Sequence, residues 1–512
     1  MRVLYVASEV FPLAKTGGLA DVSAALPVAL SELDVDVRLL LPGYPQAIGR
    51  ASNPREVARV SDLLGCGETR LLAARLPDSG VPLWLVDCPA LYERRGGIYQ
   101  DENGNDWPDN ALRFALLNHI AALVADGILD ARWRPDVIHA HDWHAGLLPL
   151  LLSTRPKPRP LTVLTIHNLA YQGSFELDEF SKLGLPDCPQ IYPALEFYGR
   201  LSFLKAGIRH AEAMTTVSPT YAREILTPEF GCGLDGMLRE RADRLTGILN
   251  GVDYRIWDPG HDPYLPSTYT PRQIGAKRAC KIALQQELML DPSVEAPLFA
   301  FSSRLAHQKM PDIVLEALPA LLAEGSQFAV AAEGDADYES HFREISASYP
   351  GQVSARIGYE EPLAHRLLAG ADILLHPSRY EPCGLAPIYA MRYGTLPVVR
   401  RSGGTADSVV DAIEQTIQCE TATGFSFEHP TVGDLIASVH RTLALYRQPI
   451  AWRKIQICAM RQDFSWKRPA QAYADLYRTL TSFPTEEQVE SGEQEPLMPT
   501  CHSMMTDLEP AA

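Results

Sequence analysis

Short apolar segments alternate with helix-like stretches along most of this chain, and this alternation constrains the fold more than any other feature of the sequence. The segments are nearly continuous apolar runs, so the strands that they form should be covered on both faces. Such strands are typical of parallel α/β sheets. The segments are RVLYVAS, VDVRLLLPG, VPLWLVDC, PDVIHAHD, LTVLTIHN, AMTTVS and LTGILNG in the first half, then PLFAFSSRL, FAVAAEG, VSARIGY, DILLHPS and LPVVRRS.

Two successive series of such segments predict two Rossmann-like domains, which suits a length of 512 residues. Between the series, DPGHDPYLPSTYTP has the Pro, Gly and Asp content of a linker, and RQIGAKRACKIALQQELML then restarts a helix. The predicted organisation is a first Rossmann-like domain over 1–255, a second over 256–465, a C-terminal helix over 466–483 that packs back on the first domain, and an acidic disordered tail over 484–512.

Composition and charge narrow the class of partner. Hydrophobic residues make up 46% of the chain and charged residues 21%, and no long uncharged apolar run suggests a membrane span. The formal net charge is -17, and the tail after Phe483 supplies seven acidic residues and no Lys or Arg. An acidic chain is a poor partner for nucleic acid, so a neutral or phosphate-bearing small molecule fits better.

Cysteine usage and the first residues indicate the compartment. The nine cysteines form no CxxC pair and no Cys/His cluster, which argues against a disulfide framework and a structural zinc site. The opening MRVLYVASEV is a poor signal peptide, because a single basic residue precedes a strand-like segment. We therefore expect a cytoplasmic protein that acts on neither nucleic acid nor membrane.

Nearly every polar cluster follows the end of a predicted strand. Open α/β sheets bind ligands beyond the carboxyl ends of their strands, so this placement predicts a ligand site in a cleft between the two domains. The clusters are Lys15-Thr16-Gly17-Gly18, His141-Asp142-Trp143-His144, His167-Asn168, Asn250-Gly251, Arg304 with Lys309, and Glu381-Pro382-Cys383-Gly384.

Two of these clusters could contact phosphate. The KTGG segment is either a tight turn or an anion-binding loop, in which adjacent glycines let backbone N–H groups approach an anion while Lys15 adds a charge. It matches neither the Walker loop nor GxGxxG. Arg304 and Lys309 are either a solvated pair or the two cations that stabilise a leaving diphosphate where no metal is present.

The HDWH cluster has a metal-binding and a metal-free interpretation. His141, Asp142 and His144 are ligand types, but their spacing differs from HExxH and a further ligand is not evident. Structural or substrate-orienting histidines are the favoured interpretation.

Glu381 precedes a Cys-Gly turn that opens an apolar helix. Its carboxylate could simply complement the helix dipole, or it could accept hydrogen bonds from sugar hydroxyls. In the second case the amides of Cys383, Gly384 and Leu385 would be available to sugar or phosphate oxygens. Cys383 is a poor candidate nucleophile because no His or Asn is tied to it in the sequence.

Together these segments resemble the bacterial glycogen synthases and plant starch synthases, a family of glucosyltransferases with the GT-B fold. The resemblance covers nearly the whole chain, and the motifs follow the family's order. It implies an α/β architecture of two Rossmann-like parallel-sheet domains that face each other across a deep cleft. The motifs are SEVFPLAKTGGLADV, DNALRFALLNH, PDVIHAHDWHAGLLP, TIHNLAYQG, FLKAGI, TTVSPTYAREI, ILNGVDYRIWDP, SSRLAHQK, RYEPCGL and DFSW.

The resemblance also implies a reaction and a set of site residues. The reaction is the retaining transfer of glucose from ADP-glucose to the non-reducing 4-hydroxyl of an α-1,4-glucan such as glycogen, without cofactor or metal. The first domain would lie on the acceptor side and the second would bind the nucleotide-sugar. The implied catalytic residues are His167, Asp142, Arg304, Lys309 and Glu381, and the implied donor contacts are Lys15, Gly17, Gly18, Asn250, Arg304, Lys309, Tyr359 against the adenine, and the backbone of Cys383, Gly384 and Leu385.

The chain departs from the usual family pattern in its donor-binding half. The departures are Ala386-Pro387 after EPCGL in place of Thr-Gln, Met310 in place of a glycine, Thr405 in place of the leucine of GGL, and Ala332 with Glu333 in the GxGD-like stretch. They leave open an alternative, a weakly active or inactive paralogue that binds glucan or a partner synthase. Glycogen phosphorylase shares the GT-B architecture, but none of its pyridoxal phosphate motifs is present.

Overall fold

The computed structural model describes residues 1–482, in which the chain divides into two compact units. The first consists of Met1–Val217, Ala222–Gly251 and the segment that begins at Trp466, and the second of Ser218–Tyr221 and Val252–Ser465. The sequence-based boundary at 255/256 lies a few residues after Gly251. The predicted acidic tail, 484–512, lies outside the described residues.

The first unit is built on a nine-stranded sheet in the order β12-β11-β7-β6-β1-β2-β5-β4-β3, beside a small sheet in the order β8-β10-β9. The strands are β1 (Arg2–Val6), β2 (Asp36–Pro42), β3 (Ser52–Ser61), β4 (Glu68–Arg75), β5 (Pro82–Asp87), β6 (Val137–His141), β7 (Leu161–Ile166), β8 (Ser174–Phe175), β9 (Glu196–Phe197), β10 (Arg200–Ser202), β11 (Ala213–Thr216) and β12 (Leu245–Gly247).

The large sheet is parallel from β12 to β5 and antiparallel at β4 and β3. The parallel strands are the seven apolar runs of the first half, as their burial on both faces requires. The sheet is thus parallel except at one edge, where β3 and β4, which both contain charged residues, form antiparallel pairs.

Helices in residues 1–251 cover the sheet. They are α1 (Gly18–Ser31), α2 (Pro45–Arg50), α3 (Pro89–Tyr92), α4 (Asn110–Ala125), α5 (Leu147–Ser153), α6 (Ile191–Leu195), α7 (Phe203–His210), α8 (Pro219–Glu224) and α9 (Asp235–Glu240). Helix α4 is mostly apolar and almost entirely buried, and the polar side chains of Arg113 and Asn118 are buried with it.

The second unit contains a seven-stranded parallel sheet, whose main order is β14-β15-β13-β17-β18-β19, with β16 pairing with β15. The strands are β13 (Leu298–Phe301), β14 (Arg304–Leu305), β15 (Gln327–Gly334), β16 (Val353–Ile357), β17 (Ile373–His376), β18 (Leu396–Arg400) and β19 (Phe425–Phe427). Its central strands β13 and β17 are buried along their whole length.

The helices of the second unit are α10 (Lys277–Glu287), α11 (Pro311–Ala323), α12 (Ala336–Ser348), α13 (Glu361–Gly370), α14 (Leu385–Arg392), α15 (Gly403–Ser408), α16 (Glu414–Gln418), α17 (Val432–Tyr446) and α18 (Pro449–Met460). A last helix, α19 (Lys467–Ser482), belongs to the first unit, where the hydroxyl of Tyr477 lies 2.7 Å from Nδ1 of His139 in β6. None of the described helices is long and apolar enough to cross a membrane.

Candidate active site

In the first unit, Asp142 follows the carboxyl end of β6 and holds the start of the next loop. Its Oδ1 accepts hydrogen bonds from the backbone N–H of His167, at 2.7 Å, and of Asn168, at 3.4 Å. Asp142 itself has φ 54° and ψ -170°, a conformation that costs a non-glycine residue about 1–3 kcal/mol. Strain of this kind persists at sites where the surroundings fix a side chain for a purpose.

The same residues have shifted pKa values. Burial raises the pKa of Asp142 to about 7, although the hydrogen bonds from the His167 and Asn168 amides act in the opposite direction. Burial lowers the pKa of His167 to about 3, so its ring is neutral near pH 7. One ring nitrogen of His167, Nε2, lies 2.9 Å from Nδ1 of His141.

Asn250 follows β12, at the same edge of the sheet. Its side chain is 4% exposed, and its Oδ1 is buried without a hydrogen-bond partner among residues 1–482. An unsatisfied buried acceptor costs about 1–3 kcal/mol, so this atom points to a ligand as its partner. The position fits the predicted role of Asn250 near a transferred sugar, which stays a prediction.

The KTGG loop is held by the side chain of Glu9, which the sequence reasoning missed. Oε2 of Glu9 accepts hydrogen bonds from the backbone N–H groups of Thr16, at 2.6 Å, and Gly17, at 3.0 Å. Oε1 of Glu9 accepts one from the Tyr99 hydroxyl at 2.6 Å. The signal was present in the sequence as the acid of SEVF, immediately before the loop.

These contacts limit which groups of the KTGG loop are available to a ligand. The Gly17 amide already binds a carboxylate, Gly18 begins α1, and Nζ of Lys15 lies 3.0 Å from Oδ1 of Asp21. The Gly17 amide is thus already occupied, which leaves the Lys15 ammonium and the leading amides of α1 for an added phosphate. The predicted donor contacts of Lys15, Gly17 and Gly18 remain predictions.

In the second unit, Glu381 lies in the loop after β17 and is surrounded by donors. Its Oε2 accepts hydrogen bonds from Ser378 Oγ at 2.9 Å and from His376 Nε2 at 2.9 Å, and it forms an ion pair with Lys309. Burial and the Lys309 ammonium lower the pKa of His376, so its ring is neutral and Nε2 carries the donated proton. The sequence reasoning identified Lys309 and Glu381 but missed His376 and Ser378.

The three donors bind one oxygen of Glu381 and leave the other available. Burial alone would raise the pKa of Glu381, but the Lys309 ammonium and the His376 hydrogen bond outweigh it and lower the pKa below its ordinary value. The side chain is therefore a carboxylate, and its Oε1 has no hydrogen-bond partner in the part of the chain that the structure describes. This oxygen can accept hydrogen bonds from a polyol.

The backbone after Glu381 is fixed by two glycines. Gly384 has φ 80° and precedes the first turn of α14, whose leading N–H groups lack partners inside the helix. The Gly404 amide donates to the Glu381 carbonyl at 2.9 Å, and a Cβ on Gly404 would lie 2.0 Å from the carbonyl oxygen of Cys383. The loop around Cys383, Gly384 and Leu385 is thus held by close backbone packing.

Arg304 lies in β14 and Tyr359 in the loop after β16, and both of these strands pair with β15. Arg304 is exposed in β14, in register with Glu333 of β15, and Tyr359 is 51% exposed just before α13, where its hydroxyl contacts the Glu361 carboxylate. The structure brings Lys309 to Glu381, whereas the diphosphate and adenine contacts of Arg304 and Tyr359 stay predictions.

The departures from the family pattern are accommodated locally. Met310 is in the left-handed conformation, φ 56° and ψ 43°, that a glycine would adopt without strain. The Thr405 hydroxyl donates to the backbone carbonyl of Arg400 at 2.6 Å, and the Ser402 amide donates to Thr405 Oγ1 at 3.2 Å. Pro387 lies in the first turn of α14, where a missing N–H is tolerated.

The HDWH cluster forms ring contacts. His144 stacks on Tyr99 with 4.8 Å between ring centroids, and its backbone carbonyl accepts from Asn118 at 2.7 Å. Within residues 1–482, no group of three or more His, Cys, Asp or Glu side chains is arranged to hold a metal ion.

Comparison with known proteins places the chain in a family. Residues 2–240 match the family described as starch synthase catalytic domain, and residues 290–455 match glycosyl transferases group 1. Glycogen synthase from Burkholderia thailandensis is 53% identical over 93% of this chain and 90% of its own length, and glycogen synthase from Paramagnetospirillum magneticum is 52% identical over 94% and 98%.

A solved structure shows the same fold. The catalytic domain of starch synthase IV from Arabidopsis thaliana, bound to ADP and acarbose, has a TM-score of 0.85 at 29% identity, over 94% of this chain and 99% of that one. The resemblance seen in the sequence is therefore confirmed. This chain belongs to the glycogen and starch synthase family of GT-B glycosyltransferases.

Proposed function

We propose that the protein is a glycogen synthase that transfers glucose, with retention of configuration, from ADP-glucose to the non-reducing 4-hydroxyl of an α-1,4-glucan. The observation that carries the proposal is Glu381, a buried carboxylate with one oxygen tied by three donors and the other open. The relatives named glycogen synthase support the reaction, and the starch synthase structure with bound ADP supports the donor base.

Glu381 would hold the transferred glucose. A carboxylate oxygen accepts hydrogen bonds from adjacent sugar hydroxyls, and charge-assisted bonds of this kind are about twice as strong as neutral ones. Because Lys309, His376 and Ser378 fix Oε2, the position of Oε1 is set before the sugar binds. Such preorganisation reduces the reorganisation needed in the transition state.

The diphosphate would leave with help from cations and amides. Lys309 and Arg304 would stabilise the negative charge that develops as the bond between the glucose anomeric carbon and the phosphate oxygen breaks. The amides of Cys383 and Gly384, just before α14, and of Leu385, its first residue, would donate to sugar or phosphate oxygens. No cofactor or metal is part of this proposal.

Retention would follow from attack on the same face that the diphosphate leaves. The acceptor 4-hydroxyl forms the new bond to the anomeric carbon, and its proton passes to the departing phosphate oxygen. The glucose is oxocarbenium-like between departure of the diphosphate and formation of the new bond.

The remaining proposed contacts come from both units. His167, Asp142 and Asn250 are the first-unit groups proposed around the transferred sugar. Lys15 with Gly17 and Gly18 would contact donor phosphate, and Tyr359 would lie against the adenine. A cytoplasmic location stays a prediction.

The alternative of an inactive paralogue receives no support from the structure. Thr405 and Pro387 fit their local backbone, Met310 is fully buried despite its left-handed conformation, and Glu381, Lys309 and Asn250 keep the side chains that the reaction needs. We therefore keep a single proposed function.

The test measures incorporation of labelled glucose into glycogen from ADP-glucose and from UDP-glucose, with and without EDTA. We expect incorporation from ADP-glucose that EDTA does not affect, and a fall in turnover of about 10²–10³-fold for Glu381→Gln. Glu414→Gln, on an exposed helix, is the matched control. No incorporation from either donor would overturn the function, preference for UDP-glucose would overturn the donor, and loss of activity in EDTA would overturn the metal-free reaction.

A further inference from the structure

His141 is a buried ring that the proposed reaction does not use. It is the last residue of β6, and its ring contacts two others: it is stacked on Tyr5 at 3.9 Å between centroids and tilted against His139 at 4.0 Å. Its side chain has no exposed surface. The ring nitrogens of a histidine donate and accept in the ring plane, so His141 can form hydrogen bonds only at its edge.

One edge of His141 meets His167. Nδ1 of His141 lies 2.9 Å from Nε2 of His167, while Nε2 of His141 is buried without a hydrogen-bond partner among the described residues. Burial lowers the pKa values of both rings, so each carries a single proton near pH 7. The short distance requires one of the two facing nitrogens to be protonated and the other to be bare.

The two possible arrangements differ in what they leave buried. If His167 donated from Nε2, the proton of His141 would be on its own Nε2, and a buried N–H would have no acceptor. If His141 donates from Nδ1, only a lone pair is left without a partner. Orphaned buried N–H groups are rarer in proteins than unsatisfied acceptors, so the second arrangement is favoured.

We propose that His141 is a positioning residue that holds His167 as the Nδ1–H tautomer. Nδ1 of His167 is then a hydrogen-bond donor, and it has no partner of its own in residues 1–482. On the proposed function, on which this inference rests, the acceptor is a hydroxyl oxygen of the transferred glucose.

The backbone supports the same assignment. Asp142 fixes the main chain of His167, because its Oδ1 accepts a hydrogen bond from the His167 N–H. His141 fixes the ring of His167 through the contact between Nδ1 of His141 and Nε2 of His167. The neighbouring ring of His139 cannot substitute, since its nitrogens face Tyr477 and Thr165 at 2.7 and 2.6 Å. Two consecutive residues at one strand end thus determine the whole conformation of His167.

The first test reads the tautomer directly in the wild-type protein. Long-range proton–nitrogen correlation spectra of protein labelled with ¹⁵N-histidine distinguish the Nδ1–H, Nε2–H and charged forms, and His167→Gln assigns the signal among the 14 histidines. We expect His167 to be the neutral Nδ1–H form. The Nε2–H form would overturn the proposal. The spectrum can be recorded whether or not the protein transfers glucose.

The second test compares two variants of nearly equal shape. His141→Asn and His141→Leu both remove the ring stack, but the Asn side-chain amide can still donate to Nε2 of His167 from about the position of Nδ1. We expect kcat to be about five- to tenfold higher for the Asn variant than for the Leu variant, the worth of one hydrogen bond, with similar KM for glycogen. In the Leu variant the His167 signal should lose its Nδ1–H character.

The outcomes separate this inference from the proposed function. Equal kcat for the two variants, or an unchanged tautomer in the Leu variant, would overturn the role of His141. If the Leu variant does not fold, the wild-type spectrum and the spectrum of the Asn variant still decide the tautomer. An Nδ1–H signal in a protein that transfers no glucose would reject the proposed function and leave the role of His141 standing.

Discussion

Asp142 and Glu381 are both buried carboxylates that follow the ends of parallel strands, one in each unit, yet their electrostatics are opposite. Asp142 is 7% exposed and its pKa is raised to about 7, whereas Glu381 is 6% exposed and its pKa is lowered. The difference lies in the partners. Asp142 accepts hydrogen bonds from backbone N–H groups, whereas Glu381 forms an ion pair with the Lys309 ammonium.

The comparison shows that burial and strand-end position do not determine the charge of a carboxylate. Desolvation raises the pKa of both groups, and at Glu381 the facing Lys309 ammonium and the His376 hydrogen bond reverse its effect. Glu381 is therefore suited to bind hydroxyls as a permanent anion. Asp142 is suited to hold a loop and can change its protonation near neutral pH.

The largest expected effect comes from removing the cation that makes the two carboxylates different. Lys309→Met leaves Glu381 buried without its ammonium partner, which costs about 3–5 kcal/mol for a broken buried pair. We also expect turnover to fall about 100-fold or more, because a cation at the leaving group is lost. Glucose incorporation and urea unfolding measure the two effects.

The same variant reverses the pH dependence of Glu381. In the wild type its lowered pKa gives a stabilising contribution that is present above the unfolded-state pKa and is lost as the pH falls. Without Lys309 the pKa of Glu381 should rise, so stability should fall as the pH rises. The double variant Lys309→Met/Glu381→Gln should regain stability but not activity, and failure to regain it would show that the pair is not the cause.

The next largest effect is expected at Asp142. An acid whose pKa rises on folding holds more protons in the native state than in the unfolded state between the two values, so stability falls as the pH rises through that interval. For Asp142 the interval runs from 3.8 to about 7, and at about 1.4 kcal/mol per pKa unit the loss is on the order of 4 kcal/mol.

Asp142→Asn tests this value because Asn can still accept the His167 N–H. The stability of the variant relative to the wild type should increase as the pH is raised from about 4 to about 7. Chemical denaturation across this pH range provides the measurement. The exposed Asp243, changed to Asn, controls for the loss of one charge, and a constant difference for Asp142→Asn would contradict the raised pKa.

Much of the fold and of the candidate site could be predicted from the sequence, and the elements that were not predicted share a physical reason. The apolar runs identified the parallel strands, and the strand-end rule found Asp142, His167, Lys309 and Glu381. The antiparallel strands β3 and β4 were not predicted because charged residues interrupt their apolar pattern. Strands β8, β9 and β10 were not predicted because each has only two or three residues.

The partners that set each pKa were harder to predict. The contact of Lys309 with Glu381 joins two strand ends that are 72 residues apart in the chain, and the contact of His141 with His167 joins two that are 26 apart. His376 and Ser378 were within reach of sequence reasoning, since both lie a few residues before Glu381, one at the end of β17 and the other in the loop that follows it. Which oxygen each donor binds requires coordinates.

A smaller effect is expected from the backbone that holds Glu381. Gly404→Ala would place a Cβ 2.0 Å from the Cys383 carbonyl oxygen, so the loop must move, at a cost of about 1–3 kcal/mol. Because Gly404 also donates to the Glu381 carbonyl, turnover should fall with stability. Gly433→Ala, where a Cβ meets nothing within 4 Å, is the control, and equal stability of the two variants would contradict the close packing.

The smallest effect is the difference in stability between two variants at Met310, and it concerns backbone strain, which both sites share. Asp142 and Met310 each have positive φ, and Met310 directly follows Lys309. Met310 is fully buried, so Met310→Gly should destabilise by about 2–5 kcal/mol through lost packing, more than the relief of strain can offset. Met310→Ala loses nearly the same packing but keeps the strain, so we expect the Gly variant to be about 1 kcal/mol more stable than the Ala variant. Equilibrium unfolding measures the difference, and an Ala variant that is the more stable of the two would show that the left-handed conformation at Met310 is not strained.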